Sequence, residues 1–151
     1  TYSIGKVPYI FSRPFTVEYL SVGPSGTPAR ALVFKHKNAK FDEGDRLRPL
    51  HVDIHGGAFL GGQPENFASF DDRIARETGA VVVSITYRYA PENTFPAAID
   101  DVDRTLAWLR HNAESRWGAD PKLMTISGSS AGGNLALAAM QQPECHSPSP
   151  T

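Results

Sequence analysis

Alternating apolar and polar residues near the start of the chain predict two short strands. The first strand is predicted over Phe15–Val22 and the second over Ala29–Lys37, and residues 23–28 between them are rich in glycine and proline. Such alternation is typical of half-buried strands, and glycine and proline favour a turn. The sequence therefore predicts an antiparallel hairpin, followed by a polar, solvent-exposed loop over Asn38–Arg48.

Three further apolar runs predict strands that lie deeper in the fold. These strands are predicted over Leu50–His55, Val81–Ile85 and Lys122–Ser127. The second run consists largely of β-branched residues, which is typical of a strand buried on both faces.

Helical spacing of apolar residues appears between these runs. Spacings of three and four predict two amphipathic helices, one ending at Gly79 and one over Ala97–Ala113, and an Ala/Leu-rich helix is predicted over Ala131–Gln141. The apolar stripe of the first helix consists of Phe67, Phe70 and Ile74. That of the second consists of Ile99, Val102, Leu106 and Leu109. Strands that alternate with helices indicate an α/β fold with a mostly parallel sheet and helices on both faces.

Composition narrows the classes of partner. The 151 residues include 15 basic and 16 acidic side chains, a net charge of −1, so the chain has no basic field for nucleic acid. No stretch approaches the roughly 20 apolar residues that cross a bilayer, so we expect no membrane span. Cys145 is the only cysteine, which excludes an internal disulfide framework and a multi-cysteine zinc site. The first residues show no charged start followed by an apolar run, so a targeting peptide is expected to be either absent or already removed. A single cysteine is compatible with a reducing compartment such as the cytoplasm.

A GxSxG pattern follows directly on the predicted strand Lys122–Ser127. Ser130 has Gly128 two residues before it and Gly132 two residues after it, and the helix begins at once. A nucleophile on a sharp strand-to-helix turn needs neighbours without side chains. Taken alone, the same pattern also fits a Gly/Ser helix cap. In the context of strand, turn and helix, Ser130 is the candidate nucleophile.

A second glycine motif follows an earlier predicted strand. Residues 55–59 read HGGAF, where a second source of backbone donors for an oxyanion hole is expected. The amides of Gly56, Gly57 and Ala131 are the candidate donors, and His55 is expected to hold the shape of the loop. An isolated HGG would also fit an ordinary turn, but both motifs in this order, each at a strand end, favour the oxyanion hole.

Three segments together resemble a known family. Residues 55–59 (HGGAF), 87–98 (YRYAPENTFPAA) and 128–136 (GSSAGGNLA) resemble the hormone-sensitive-lipase-like branch of the α/β-hydrolases, the α/β-hydrolase fold-3 family. The resemblance covers about residues 15–141 and implies an esterase or lipase that cleaves carboxylic esters with a Ser-Asp-His triad and no cofactor or metal. Ser130 corresponds to the nucleophile, and Gly56, Gly57 and Ala131 to the oxyanion hole. Members of this family usually carry an acidic residue directly before the nucleophile, whereas this chain has Ser129 at that position.

The acid and the histidine of the triad have no counterpart here. In α/β-hydrolases they follow the serine, on loops after later strands, whereas only 21 residues follow Ser130. The resemblance therefore implies an α/β-hydrolase fold truncated after the nucleophile-elbow helix, with residues 1–141 as the N-terminal part of one domain. Residues 142–151 are rich in Pro and Ser and are expected to be a disordered tail, which suggests that the reading frame leaves the family sequence near Gln141.

Other titratable and aromatic residues have simpler interpretations. His146 is the only histidine after Ser130. The helix carries the chain about 16 Å away, five extended residues span at most about 17 Å back, and a proline lies among them, so His146 is not expected to act as the base. The acidic side chains at the start of the long helix suit its dipole, and no catalytic role is expected for the remaining histidines. The acidic residues are Asp100, Asp101 and Asp103, and the remaining histidines are His36, His51 and His111. Trp108 and Trp117 are expected to be packing residues.

Three functions remain open. The first is an ester hydrolase acting on a small-molecule ester, of which this chain is an incomplete and inactive part. The second is a binding protein of the same fold that holds a small molecule without turnover, and the third is a non-functional fragment.

Overall fold

The computed structural model describes residues 13–22, 28–42, 44 and 46–142. In these ranges the strands are β1 Thr16–Leu20, β2 Ala29–Phe34, β3 Arg48–Ile54, β4 Val81–Ile85 and β5 Ala119–Gly128. The helices are α1 Ala39–Asp42, α2 Ala68–Thr78, α3 Ala97–Trp117 and α4 Ala131–Met140, with a 3₁₀ turn at Pro64–Phe67. The strands form one sheet in the order β1-β2-β4-β3-β5.

The sheet is mixed. β1 and β2 pair antiparallel, as the hairpin pattern predicted, and β2 also pairs antiparallel with β4. β3 is parallel to both β4 and β5. The prediction of an α/β fold with helices on both faces is confirmed, but the prediction of a mostly parallel sheet is wrong for these five strands, because β2 lies directly beside β4. The predicted turn over residues 23–28 falls mainly outside the described residues.

Each face of the sheet has its own apolar core. One core lies between the sheet and the helices α3 and α4, and the other lies between the sheet and α2. Successive side chains of a strand point to opposite faces, so β4, with apolar residues on both, is buried along its whole length as predicted. The predicted stripe of α3 is confirmed, since Val102, Leu106 and Leu109 are buried. In the described part of the chain, β5 lies at the end of the sheet and pairs with β3 alone.

The segment after β2 differs from the prediction of an exposed loop. Residues 39–42 form the short helix α1, and Phe41 is buried. Arg48 is also buried, and its guanidinium donates hydrogen bonds to the carbonyl oxygens of His36 at 2.8 Å and Gly79 at 3.2 Å and pairs with Asp42. Fixed acceptors from three segments make a buried cation tolerable, which the charge pattern alone could not indicate.

Helix α2 buries a face that is rotated from the predicted stripe. Ile74 of that stripe packs against the core as predicted, but Phe70 is half exposed, and the fully buried positions are Ala68, Asp71 and Ala75. The small side chains of the two alanines fit between the helix and the sheet, where larger side chains of the predicted stripe would not. The predicted end at Gly79 is confirmed, since this residue adopts the left-handed conformation with φ 75°.

Asp71 is an unusual residue for this core. Its side chain is fully buried, and no basic group pairs with it among the described residues. Burial, reinforced by the nearby Asp53 and opposed by the hydroxyl of Ser84, raises the pKa of Asp71 to about 8. A buried carboxylate without a cation beside it is costly, so Asp71 holds its proton at neutral pH.

Asp71 should therefore make stability depend on pH. The folded protein keeps a proton that the unfolded chain releases near the ordinary pKa of 3.8, so the free energy of unfolding should fall as pH rises from about 4 to about 8. The slope contributed by one such group is at most about 1.4 kcal/mol per pH unit. Urea unfolding of the wild-type and Asp71→Asn proteins between about pH 5 and 8 should show a flatter profile for the variant. Equal slopes in the two proteins would contradict this account.

Candidate active site

Ser130 lies on a sharp turn between β5 and α4. Its backbone angles are φ 51° and ψ −119°, a conformation that non-glycine residues rarely adopt. The turn is tied to β3 and closed on itself, because the amide of Ser129 donates to the carbonyl of Ile54 at 3.2 Å and the amide of Gly132 donates to the carbonyl of Ser129 at 2.8 Å. The strand, turn and helix around Ser130 follow the sequence-predicted arrangement.

Both flanking glycines are sterically required. A Cβ atom on Gly132 would lie 1.9 Å from the carbonyl oxygen of Ile54, and one on Gly128 would lie 2.4 Å from the carbonyl oxygen of Gly132. Backbone atoms cannot move aside as the end of a flexible side chain can. The absence of side chains at these two positions therefore allows the turn to rest directly on the end of β3.

The HGG segment reaches the same turn from the end of β3. A Cβ atom on Gly56 would lie 2.9 Å from the carbonyl oxygen of Ser129 and 3.2 Å from the Cβ of Ser130. Gly57, Ala58 and the following Phe59 all have positive φ angles, of 139°, 55° and 62°. The two motifs that the sequence singled out are thus in direct contact at the carboxyl ends of β3 and β5.

His55 is fully buried beneath this loop. Its Nδ1 lies 2.8 Å from the carbonyl oxygen of Gly56, its Nε2 lies 2.9 Å from the hydroxyl of Thr86, and its ring stacks on Tyr87 at 4.8 Å. Burial lowers the pKa of His55, so the ring is neutral and carries one proton. A carbonyl can only accept, so that proton is on Nδ1, and Nε2 accepts from Thr86.

The segment 87–98 packs between this loop and α3. The hydroxyl of Tyr87 donates to the carbonyl of His55 at 3.0 Å, and that of Tyr89 donates to the carbonyl of Gly62 at 2.9 Å. Arg88 donates from its backbone amide and from its guanidinium to the carboxylate of Asp101, at 3.0 Å and 2.9 Å. The catalytic motifs of the sequence did not predict these contacts. The signal that could have found them is the concentration of aromatic and charged residues in one loop.

A cavity of about 300 Å³ lies between α3, α4 and the segment 88–95. Phe59, Ile99 and Leu135 give it apolar walls. Asn134, which also lines it, donates its backbone amide to the carbonyl of Ser130 at 3.1 Å. The cavity is suited to the apolar part of a small molecule.

Each histidine in the described ranges has a partner other than the hydroxyl of Ser130. Besides His55, Nε2 of His36 lies 2.6 Å from Asp72, both ring nitrogens of His51 contact hydroxyls, and Nδ1 of His111 lies 2.8 Å from the carbonyl of Ala107. His146 lies outside the described residues, as do Cys145 and the rest of residues 143–151.

Two further observations concern the described part of the chain. It contains no group of three or more His, Cys, Asp or Glu residues that could hold a metal ion, and none of its helices is long and apolar enough to cross a membrane.

Trp108 and Trp117 pack against each other, with ring centroids 6.0 Å apart.

Comparisons with known proteins agree on one family. A family model described as alpha/beta hydrolase fold matches residues 51–149. Arylacetamide deacetylase of Mus musculus is 43% identical over 94 residues, which are 59% of this chain and 23% of that protein. Lipase 2 of Moraxella sp. is 41% identical over 89 residues, which are 59% of this chain and 20% of that protein.

Solved structures give the same result. The hyperthermophilic esterase of Pyrobaculum calidifontis superposes with a TM-score of 0.70 and 38% identity, over 85% of this chain and 39% of that chain. The chain therefore spans less than half the length of the proteins that it resembles.

Proposed function

Because the chain belongs to the α/β-hydrolase fold family, we propose that it is part of a carboxylic ester hydrolase whose nucleophile is Ser130. The observation that carries this proposal is the contact between the two motifs, since a Cβ on Gly56 would lie 3.2 Å from the Cβ of Ser130. Ester hydrolysis needs a nucleophile and backbone donors at one point, and this contact brings them together.

The proposed reaction has two steps. In the first, Ser130 Oγ attacks the ester carbonyl carbon, its proton passes to a base, and the alcohol leaves as the acyl group is bonded to the serine. In the second, water attacks the acyl-enzyme and releases the acid. The amides of Gly56, Gly57 and Ala131 would stabilise the negative oxygen of each tetrahedral intermediate, and no cofactor is needed.

The base is the part that the described residues do not supply. His36, His51, His55 and His111 all have other partners. We therefore propose that the 151-residue chain by itself has little esterase activity. The apolar cavity between α3 and α4 suits an ester with an apolar acyl or alcohol group.

Labelling with a fluorophosphonate probe tests the nucleophile. We would place residues 13–141 of this chain in the Pyrobaculum calidifontis esterase in place of the aligned region, so that the rest of the fold supplies the triad partners. Peptide mapping of this chimera should find the label on Ser130 and lose it in the Ser130→Ala variant. A label on Ser127 or Ser129, with Ser130 unmodified, would refute the assignment.

The oxyanion loop can be tested in the same chimera. Gly57 has φ 139°, and a side chain there would place Cβ 2.0 Å from the carbonyl oxygen of Gly61. Gly57→Val should therefore displace the loop and lower kcat by on the order of 10²–10³, the cost of losing one oxyanion donor. Gly61→Ala is the matched control, because its Cβ meets nothing within 4 Å. Unchanged kcat in Gly57→Val would remove this glycine from the mechanism.

Binding without turnover is the second candidate. It is favoured by an apolar cavity of about 300 Å³ against α4, the helix that follows Ser130, and by the absence of a described histidine in contact with that serine. Calorimetric titration of the 151-residue chain with ethyl butyrate distinguishes a binding protein from an ester hydrolase. A binding protein would bind the ester and leave it unchanged, and the chimera would be inactive as well.

A further inference from the structure

A group of polar side chains links β3 to β5 on the sheet face opposite Leu50, Val52 and Ile54. His51 and Asp53 of β3 lie directly across from Thr125 and Ser127 of β5 in the strand register. Asp53 is almost fully buried, and His51 and Ser127 are partly buried. These four residues are called the cross-strand relay below.

Short distances connect the relay from end to end. Ser127 Oγ lies 2.6 Å from Asp53 Oδ1 and 3.0 Å from His51 Nε2. His51 Nδ1 lies 2.8 Å from the hydroxyl of Thr125. Burial lowers the pKa of His51, so the ring is neutral and carries one proton.

Proton counting fixes the direction of these hydrogen bonds. The hydroxyl of Ser127 donates its single proton to Asp53 Oδ1. Burial raises the pKa of Asp53, and this hydrogen bond opposes that rise. Ser127 Oγ must then accept from His51, which places the ring proton on Nε2. The unprotonated Nδ1 accepts in turn from the hydroxyl of Thr125 at 2.8 Å, whereas that hydroxyl lies 3.5 Å from the carbonyl oxygen of Leu50. The relay runs in one direction and ends on the carboxyl group of Asp53.

We propose that Ser127 and Asp53 are positioning residues for Ser130, which rests on the proposed role of Ser130 as nucleophile. Ser127 lies three residues before Ser130, on the last stretch of β5 before the turn. In the described part of the chain β5 pairs with β3 alone, so β3 is the only strand that holds this end in place. The hydrogen bond from Ser127 to Asp53 reinforces the bond from the amide of Ser129 to the carbonyl of Ile54.

The relay can be tested in the 151-residue chain at pH 7 without any activity. Two-bond ¹H–¹⁵N spectra of ¹⁵N-histidine-labelled protein should show the Nε2–H form of His51. Ser127→Ala removes the acceptor of that proton, so the ¹⁵N shifts of His51 should move, and hydrogen exchange at the Ser129 amide should become on the order of tenfold faster. Ser127→Thr, which keeps the hydroxyl, should restore both signals.

Ser84→Ala is the matched control. Ser84 is a buried serine of β4 whose hydroxyl faces the carboxyl group of Asp71 and makes no hydrogen bond to a relay residue. This variant should leave both His51 and the Ser129 amide unchanged. The proposal is overturned by an Nδ1–H form of His51 in the wild-type chain, or by a Ser127→Ala variant whose Ser129 exchange matches wild type.

The results expected if the relay does not position the turn differ from those expected if Ser130 is not the nucleophile. In the chimera, Ser127→Ala should lower kcat while KM stays unchanged. If Ser130 is not the nucleophile, the fluorophosphonate label will be absent from it, but the His51 spectrum and the Ser129 exchange rate will still respond to Ser127→Ala. If the relay does not position the turn, labelling of Ser130 will persist and the Ser129 exchange rate will not respond to Ser127→Ala.

Discussion

The 151-residue chain is expected to hydrolyse p-nitrophenyl butyrate no faster than its Ser130→Ala variant. A serine hydroxyl without a base is a poor nucleophile at neutral pH, and the histidines in the described ranges are bonded elsewhere. In subtilisin, loss of the catalytic serine or histidine alone lowers kcat by about 2 × 10⁶. A deficit of that order, relative to a complete triad, would leave no measurable Ser130-dependent rate.

The chimera with the Pyrobaculum calidifontis esterase is the positive control for this assay. It should hydrolyse the same ester in a Ser130-dependent manner, because it regains the triad partners. Ser130-dependent turnover by the 151-residue chain alone would show that the chain contains a base. Loss of that turnover in His146→Ala would then identify His146 as the base.

Replacing Gly132 with alanine is expected to destabilise the protein by about 3 kcal/mol or more. The new Cβ would lie 1.9 Å from the carbonyl oxygen of Ile54 and close to that of His55, so two backbone segments would have to separate. Overpacking of a well-packed interior typically costs about 1–3 kcal/mol, and a contact between backbone segments falls at the upper end of that range or beyond it. Urea unfolding followed by circular dichroism measures the loss.

Gly133→Ala is the control one residue further along α4. Its Cβ would lie 3.1 Å from the carbonyl oxygen of Gly128, a tight contact that a small shift relieves, and alanine favours the helix by about 0.5–1 kcal/mol. This variant should remain close to wild type in stability. A Gly132→Ala protein as stable as Gly133→Ala would mean that the turn does not rest on β3 as described.

The sequence determined most of the regular elements and singled out the two motifs that meet at the candidate site. Alternation predicted β1 and β2, the β-branched run predicted a fully buried β4, and the spacing of Val102, Leu106 and Leu109 predicted the buried face of α3. These predictions were right because burial of apolar side chains decides such elements locally. The two glycine motifs also predicted where sharp turns would follow strands, since only glycine tolerates that crowding.

Only the tertiary structure decided how elements distant in sequence meet. The face that α2 buries depends on how closely it approaches β4 and β2, so Asp71 is buried and Phe70 is half exposed, against the helical pattern. Arg48 is buried because carbonyls from two other segments happen to face it. The contact between Gly56 and Ser130 likewise depends on β3 and β5 being neighbours, which strand order settles. Spacing along a chain records the preferences of each element, whereas the partners of a side chain exist only after those elements have packed.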